Sequence, residues 1–294
     1  MKYQLHSTAL YSSFCLNDTF NTLFDAGEGI AVTLKNKIFA IDRVFITHDH
    51  WDHIGGLMGL VSARSVARGD KEKPITIYYP EGINLKIKSL VNSVARIPVN
   101  WIEVTPYLTI PLTKKHYIYV FPVNHSFKSL GYAIIEKRSR LATQYKNKSG
   151  DELRDLKREG IKINENYSHP IFVYTLDSSS IDKNIAQDVL SGADHWIADC
   201  TFLNHKDKDC DTHMSIRDIW SYVDTYHPKH VVLGHISSRY NHHEISQVVS
   251  KYFDMSVKTK ISWTNKYGKY FSIGNIMRTS GHKKLKNIVN KSKG

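Results

Sequence analysis

The six residues His48-Asp49-His50-Trp51-Asp52-His53 hold three imidazoles and two carboxylates. They follow an apolar run, Ile41-Asp42-Arg43-Val44-Phe45-Ile46, that reads as a buried strand. Structure alone needs no such density of donors. In extended backbone alternate side chains face one way, so His48 and His50 can aim at one cation, with Asp52 following in the same direction. His53 opens a helical segment reaching Arg68, which turns it toward a second point close by. Imidazole nitrogen mixed with carboxylate oxygen suits zinc and is acceptable to manganese. Gly55 and Gly56 let backbone come close.

Other apolar runs also end in residues able to do chemistry. An early strand over 20–25 ends on Asp25, which either caps a following short helix or supports a metal ligand. The strand over 117–123 delivers His125, either a ligand or a hydrogen-bonded structural histidine. The run over 171–176 delivers Asp177, able to hold metal or to cap the next segment. Trp196-Ile197-Ala198 leads to Asp199, and a polar loop then carries His213 to a helix ending near Tyr226. The strand His230–Gly234 finishes at His235, with Ser237-Ser238-Arg239-Tyr240 just beyond.

The elements that must position these residues include strands over 3–9, 75–79, 101–104 and 107–110, with helices near 83–95 and 151–160. Strands alternating with helices predict an α/β layered architecture. The interval 136–166, rich in Lys, Arg and Glu, reads as a solvated helix and loop or as a flap over the active site. One domain over 1–277 is expected, followed by a basic tail over 278–294 whose lysines read as a solvated end.

The 294 residues and 41% apolar content support a full core. The formal charge of +12 favours an anionic partner, a nucleic acid or a small phosphate ester. Cys15, Cys200 and Cys210 are odd in number and lack Cys-x-x-Cys spacing, which predicts neither a disulfide framework nor a zinc ribbon. With no signal peptide and no stretch of membrane-spanning length, a cytoplasmic protein without membrane contact is expected.

The ordered set formed by 47–53, His125, Asp177, Asp199-Cys200-Thr201-Phe202, His213-Met214-Ser215 and 234–240 resembles the metallo-β-lactamase superfamily, in its ribonuclease Z branch. The resemblance spans residues 20 to 240 and implies an αββα sandwich with two divalent metal ions, zinc before manganese, at one edge of two sheets. It implies one metal on His48, His50 and His125, the other on Asp52, His53 and His235, and Asp177 bridging. By the same resemblance His213 is the general acid, Asp199 the carboxylate that orients it, Asp52 a further catalytic carboxylate, and Ser238, Arg239 and Tyr240 a substrate-binding segment. A homodimer is implied as well. Asp199 stands where most ribonuclease Z sequences carry the longer Glu.

Between His125 and Asp177 bacterial ribonuclease Z carries an arm rich in glycine and proline that grips tRNA. Here residues 126–176 include only Gly131, Gly150, Gly160 and Pro170. The chain thus also resembles the anti-Pycsar phosphodiesterases of phages and some bacteria, which share the catalytic core without that arm. That likeness implies hydrolysis of 3′,5′-cyclic nucleotides (cCMP, cUMP, and also cAMP and cGMP) to 5′-monophosphates, silencing a host antiviral signal, in the host cytoplasm if the gene is viral. The alternatives are tRNA 3′-end processing and a non-catalytic nucleic-acid-binding relative. Phe127, Tyr145 and Tyr167 are candidate base-stacking aromatics whose default role is packing.

Overall fold

Burial with a period of two builds the two sheets. In β4 (Arg43–Phe45) Phe45 faces one way while Val44 and the following Ile46 face the other, and all three are fully buried. Covered on both sides, such strands read as continuous apolar runs. The computed structural model describes residues 1–68, 71–126, 128–208, 210–253, 258–264 and 270–272; Phe127 and the basic tail over 278–294 lie outside them.

One sheet has six strands in sequence order: β1 (Tyr3–Thr8), β2 (Ser12–Asn17), β3 (Thr22–Phe24), β4, β5 (Ile75–Pro80) and β6 (Val99–Val104). The other runs β14-β13-β12-β11-β10-β9-β8-β7, comprising β7 (Thr109–Pro111), β8 (His116–Pro122), β9 (Leu130–Leu141), β10 (Asn164–Thr175), β11 (Trp196–Asp199), β12 (His230–Gly234), β13 (Lys260–Thr264) and β14 (Tyr270–Ser272). The helices are α1 (Ile30–Leu34), α2 (Trp51–Ile54), α3 (Leu57–Arg68), α4 (Ile87–Val94), α5 (Gly150–Arg158), α6 (Lys183–Leu190), α7 (Ile216–Tyr226) and α8 (His242–Tyr252).

Three apolar layers make this a four-layer αββα sandwich. Phe24, Phe45, Tyr132, Phe172, Tyr174, Ile197 and Val232 fill the space between the sheets. Val44, Ile46 and Ile77 meet Ile30, Leu60 and Val91 of α1, α3 and α4 on one outer face. Trp196, Ala198, Val231 and Leu233 meet Ile185, Ile219 and Val249 of α6, α7 and α8 on the other. Neighbours β3, β4 and β5 run parallel, as do β10, β11, β12 and β13, so their carboxyl ends converge on one edge. Ligands of open α/β sheets collect at such edges.

Several local expectations change. β2 was not foreseen, because its residues are buried on both faces and three of them, Ser12, Ser13 and Asn17, are polar. The helical segment begins at Trp51 rather than His53 and breaks at Gly55-Gly56 into α2 and α3, so Asp52 lies on α2 instead of continuing the direction of His48 and His50.

The interval 136–166 is not a flap. Strand β8 accompanies β9 only as far as Glu136, and β11 accompanies β10 only over 173–175, so 137–141 and 164–168 continue as a two-stranded ribbon. Twelve extended residues span about 40 Å, and the ribbon tip is therefore at the end of β10 remote from Asp177. At that tip α5 buries no residue and is held by a capping box between Ser149 and Glu152, a solvated helix.

Gly56 is where the histidine segment meets the strand-end turn. Its N–H donates to Ala26 O at 2.8 Å, and a Cβ there would meet the backbone oxygens of Gly27 and Ala26 and the Ile30 side chain at 2.8 Å. Backbone cannot rotate away as a side chain can. Gly56→Ala should therefore destabilise the fold by about 1–3 kcal/mol, read as a lower urea midpoint at unchanged m-value.

Candidate active site

Six strand ends meet at the edge of the sandwich. The turn after β3 carries Asp25, the segment after β4 carries His48 to His53, β8 leads to His125, β10 to Asp177, β11 ends on Asp199, and β12 leads to His235. Asp25, Asp177 and His235 take left-handed backbone, with φ of 55°, 56° and 54°. Each strand must turn sharply to present its side chain along the edge. Such conformations cost non-glycine residues of order 1–3 kcal/mol and cluster where function demands them.

Three donor sets share Asp177. His48, His50, His125 and Asp177 form one, Asp52, His53, Asp177 and His235 a second, and Asp177, Asp199, His213 and His235 a third in which His213 is already bonded to Asp199, with donor atoms in each within 4.8 Å of one another. Asp177 Oδ2 is 3.8 Å from His48 Nε2, 3.2 Å from His53 Nε2 and 3.8 Å from His125 Nε2, while its Oδ1 is 3.3 Å from His235 Nε2. Asp52 Oδ2 is 3.6 Å from both His53 Nε2 and His235 Nε2.

Whether these residues fit metal ions is decided by their unsatisfied atoms. His48 Nε2, His53 Nε2, His235 Nε2 and Asp177 Oδ1 are buried without a hydrogen-bond partner. Buried polar atoms are otherwise almost always bonded, and each exception costs about 1–3 kcal/mol. Four of them facing one space, with carboxylate between imidazoles, fit two divalent cations. Burial, helped by nearby His53, keeps the His48 pKa well below the ordinary imidazole value, leaving a neutral ligand. Burial would raise the Asp177 pKa, but His235 and His53 hold it well below the usual carboxylate range.

In four of the five histidines the other ring nitrogen is anchored, while His50 Nδ1 lies 3.3 Å from His125 Nε2. His53 Nδ1 donates to Asp25 Oδ2 at 2.7 Å, His125 Nδ1 to Thr212 O at 2.9 Å, His48 Nδ1 to Thr47 Oγ1 at 2.9 Å and His235 Nδ1 to Thr201 Oγ1 at 2.8 Å. These acceptors place the proton on Nδ1 and leave Nε2 a lone pair for metal. Asp25, fully buried, caps nothing; it accepts from His53, Thr47 and Tyr174. Tyr174 gave no chemical signal within its apolar strand, and neither did Ser7, whose Oγ accepts from His235 N at 2.7 Å. Both contacts span chain separations that no local pattern reveals.

His213, in the third set, stands beside the first two. Its Nδ1 donates to Asp199 Oδ2 at 2.6 Å, so the Asp side chain reaches the imidazole, and its ring stacks on that of His235 at 4.8 Å between centroids. Burial alone would lower the His213 pKa, but the hydrogen bond and charge of Asp199 outweigh it and push the value up to about 9. A proton is thereby kept on an imidazole next to the donor sets. Asp199 also accepts from Thr201 N and Oγ1, both at 2.8 Å, and from Ser178 N at 3.0 Å.

The remaining candidates are less engaged. Ser238 and Arg239 are exposed on the loop after β12, Arg239 lying over the Phe202 ring, and the Tyr240 phenol donates to Asp207 Oδ2 at 2.8 Å. Tyr145 and Tyr167 lie at the tip and along the ribbon, with Arg140 over the Tyr167 ring, far from the donor sets. Among the described residues no helix is long and apolar enough to cross a membrane.

Comparison with known proteins bears on the family and the fold. A family profile described as a Beta-lactamase superfamily domain matches residues 20–236. Ribonuclease Z of Staphylococcus haemolyticus (strain JCSC1435) is 29% identical over 250 residues, covering 77% of this chain and 81% of that enzyme. Among solved structures, the metallo-beta-lactamase fold protein YhfI from Bacillus subtilis superimposes with a TM-score of 0.66 at 16% identity, covering 92% of this chain and 98% of that one. Human tRNase Z, short form, gives 0.61 at 21% identity, covering 81% and 94%. At such identities the structural likeness concerns the fold.

Removal of the Asp199 charge leaves burial, which lowers the His213 pKa, opposed only by the smaller effects of Asp177 and Cys210. In metal-free Asp199→Asn protein the His213 ring should titrate at or below the ordinary imidazole value of about 6.5, against about 9 with Asp199 present, as followed by NMR of the ring protons.

Proposed function

The chain belongs to the beta-lactamase superfamily, and on that premise we propose that it is a dinuclear metal phosphodiesterase that hydrolyses 3′,5′-cyclic nucleotides to nucleoside 5′-monophosphates. The observation that carries the reading is His213: an imidazole held protonated by Asp199, beside two donor sets that share one carboxylate. Thiolester hydrolysis expels a thiolate that leaves without a proton, whereas expulsion of a ribose 3′ oxygen needs an acid.

His48, His50, His125 and Asp177 would hold one ion, and Asp52, His53, Asp177 and His235 the other. When bound, two divalent ions, zinc in this reading, supply Lewis acidity toward a phosphodiester and its nucleophile. Asp177 holds the two donor sets at one spacing, and the Nδ1 anchors orient the rings. As water adds to phosphorus, the bond to the 3′ oxygen breaks and His213 Nε2 delivers its proton to that oxygen. Asp199 stays hydrogen-bonded to Nδ1 and orients the ring throughout. Asp52, at 14% side-chain exposure against 2% for Asp177, is the metal-side carboxylate placed to take the proton of the attacking water.

The small substrate is supported by the ribbon, which points away from the site of its own chain and offers no clamp there for a long RNA. Silencing of a cyclic-nucleotide antiviral signal would follow from that substrate. Processing of tRNA 3′ ends is the second reading, favoured by the ribonuclease Z relative described above.

Cyclic CMP, cyclic UMP, cyclic AMP and a 3′-extended precursor tRNA, each incubated with zinc or manganese and with a chelator control, separate the two. Release of 5′-monophosphates with the tRNA intact supports the proposal; tRNA cleavage with cyclic nucleotides untouched replaces it with the second reading. On whichever substrate is turned over, His213→Ala should keep its zinc and lose about 10²–10⁴ of the chemical step. Asp177→Ala should lose both zinc and activity, as measured by elemental analysis after gel filtration.

A further inference from the structure

The two sheets anchor their histidines with the same construction. In the first, Asp25 Oδ1 accepts from Thr47 N at 2.8 Å and from Thr47 Oγ1 at 2.9 Å, Thr47 Oγ1 accepts from His48 Nδ1 at 2.9 Å, and Asp25 Oδ2 accepts from His53 Nδ1 at 2.7 Å. In the second, Asp199 Oδ1 accepts from Thr201 N and Oγ1 at 2.8 Å each, Thr201 Oγ1 accepts from His235 Nδ1 at 2.8 Å, and Asp199 Oδ2 accepts from His213 Nδ1 at 2.6 Å. These four bonds repeat, although Asp25 and Thr47 lie 22 residues apart and Asp199 and Thr201 only two, and each aspartate takes one further donor of its own, the Tyr174 phenol on Asp25 and Ser178 N on Asp199.

Each threonine hydroxyl has one proton, and a buried carboxylate can only accept, so that proton goes to the aspartate. The hydroxyl oxygen is then left to accept the Nδ1 proton of its histidine. This selects the tautomer with Nε2 unprotonated, and both His48 Nε2 and His235 Nε2 are among the buried atoms without a hydrogen-bond partner. The two histidines belong to different donor sets, His48 to the one with His50 and His125, His235 to the one with Asp52 and His53.

We propose that Thr47 and Thr201 are positioning residues for one metal position each, so that the two positions can be weakened independently by removing a single hydroxyl. The proposal rests on the two-metal reading of the site. Valine at either place keeps the volume but can neither accept the Nδ1 proton nor donate to the aspartate. Outer partners of metal-bound histidines typically carry about 10–100-fold in metal affinity.

The test is zinc content after equilibrium dialysis against graded chelator, on folded protein verified by circular dichroism. The wild type should retain two ions. Thr47→Val and Thr201→Val should each release one ion at about 10–100-fold lower chelator strength while keeping the other, and the double variant should release both. Thr47→Ser and Thr201→Ser, which keep the hydroxyl, should behave as wild type. Valine variants that hold both ions as the wild type does overturn the proposal, as do serine variants that lose zinc like valine, which would make the role one of packing. A wild type that binds fewer than two ions overturns the two-metal reading itself, a result distinct from either.

Discussion

Asp177 is a carboxylate with almost no access to water, set among the Nε2 atoms of His48, His53, His125 and His235. A charge so desolvated persists only where its surroundings compensate it. Here the compensation would come from the divalent ions held by four histidines, delivered by β4 and α2 of one sheet layer and by β8 and β12 of the other. Neither sheet could supply it alone. The inter-sheet layer of Phe24, Phe45, Tyr132, Phe172 and Tyr174 therefore does more than bury apolar area, because it sets the separation at which both groups of imidazoles reach one carboxylate.

The same dependence runs outward from the ligands. Asp25 ties His53 directly and His48 through Thr47, and it also takes the Tyr174 phenol from across the sandwich at 3.0 Å. Burial and the Asp25 charge keep that phenol pKa well above its ordinary value, so Tyr174 remains a donor. Asp199 links the backbone after Asp177, His235 through Thr201, and His213. Moving β10 against β11 would disturb Asp177 and His213 together. The hydrogen bond from His235 N to Ser7 Oγ adds β1 of the first sheet to the same assembly. His213, the donor sets and both sheets are thus joined by hydrogen bonds that cross the sandwich.

Cavity size gives no guide to this chemistry. A hollow of about 710 Å³ lies on the ribbon and its base, lined by Lys115, Lys137, Arg138 and Tyr167, at the end of the strands remote from Asp177. What distinguishes the edge of the sandwich is the set of buried atoms left without partners, together with three left-handed residues at strand ends.

Much was legible in the chain itself, for definite reasons. Buried parallel strands must be apolar throughout, so β4, β11 and β12 announce themselves, and a polar residue directly after such a run has few purposes other than chemistry or capping. The spacing within 48–53 follows from local geometry, and the match of ordered motifs pointed to the αββα architecture. Composition could not reveal β2, whose buried Ser12 and Ser13 bond Glu28 O and Ser7 Oγ, nor the ribbon, whose run of Lys and Arg resembles a solvated loop. It could not choose between capping and support for Asp25, since that choice depends on Thr47, His53 and Tyr174, up to 149 residues away. Covalent order and side-chain type determined which donors exist and which strand ends carry them. Only the packing of two sheets face to face decided which donors meet, which nitrogen of each ring is left free, and that Asp199 is long enough to reach His213.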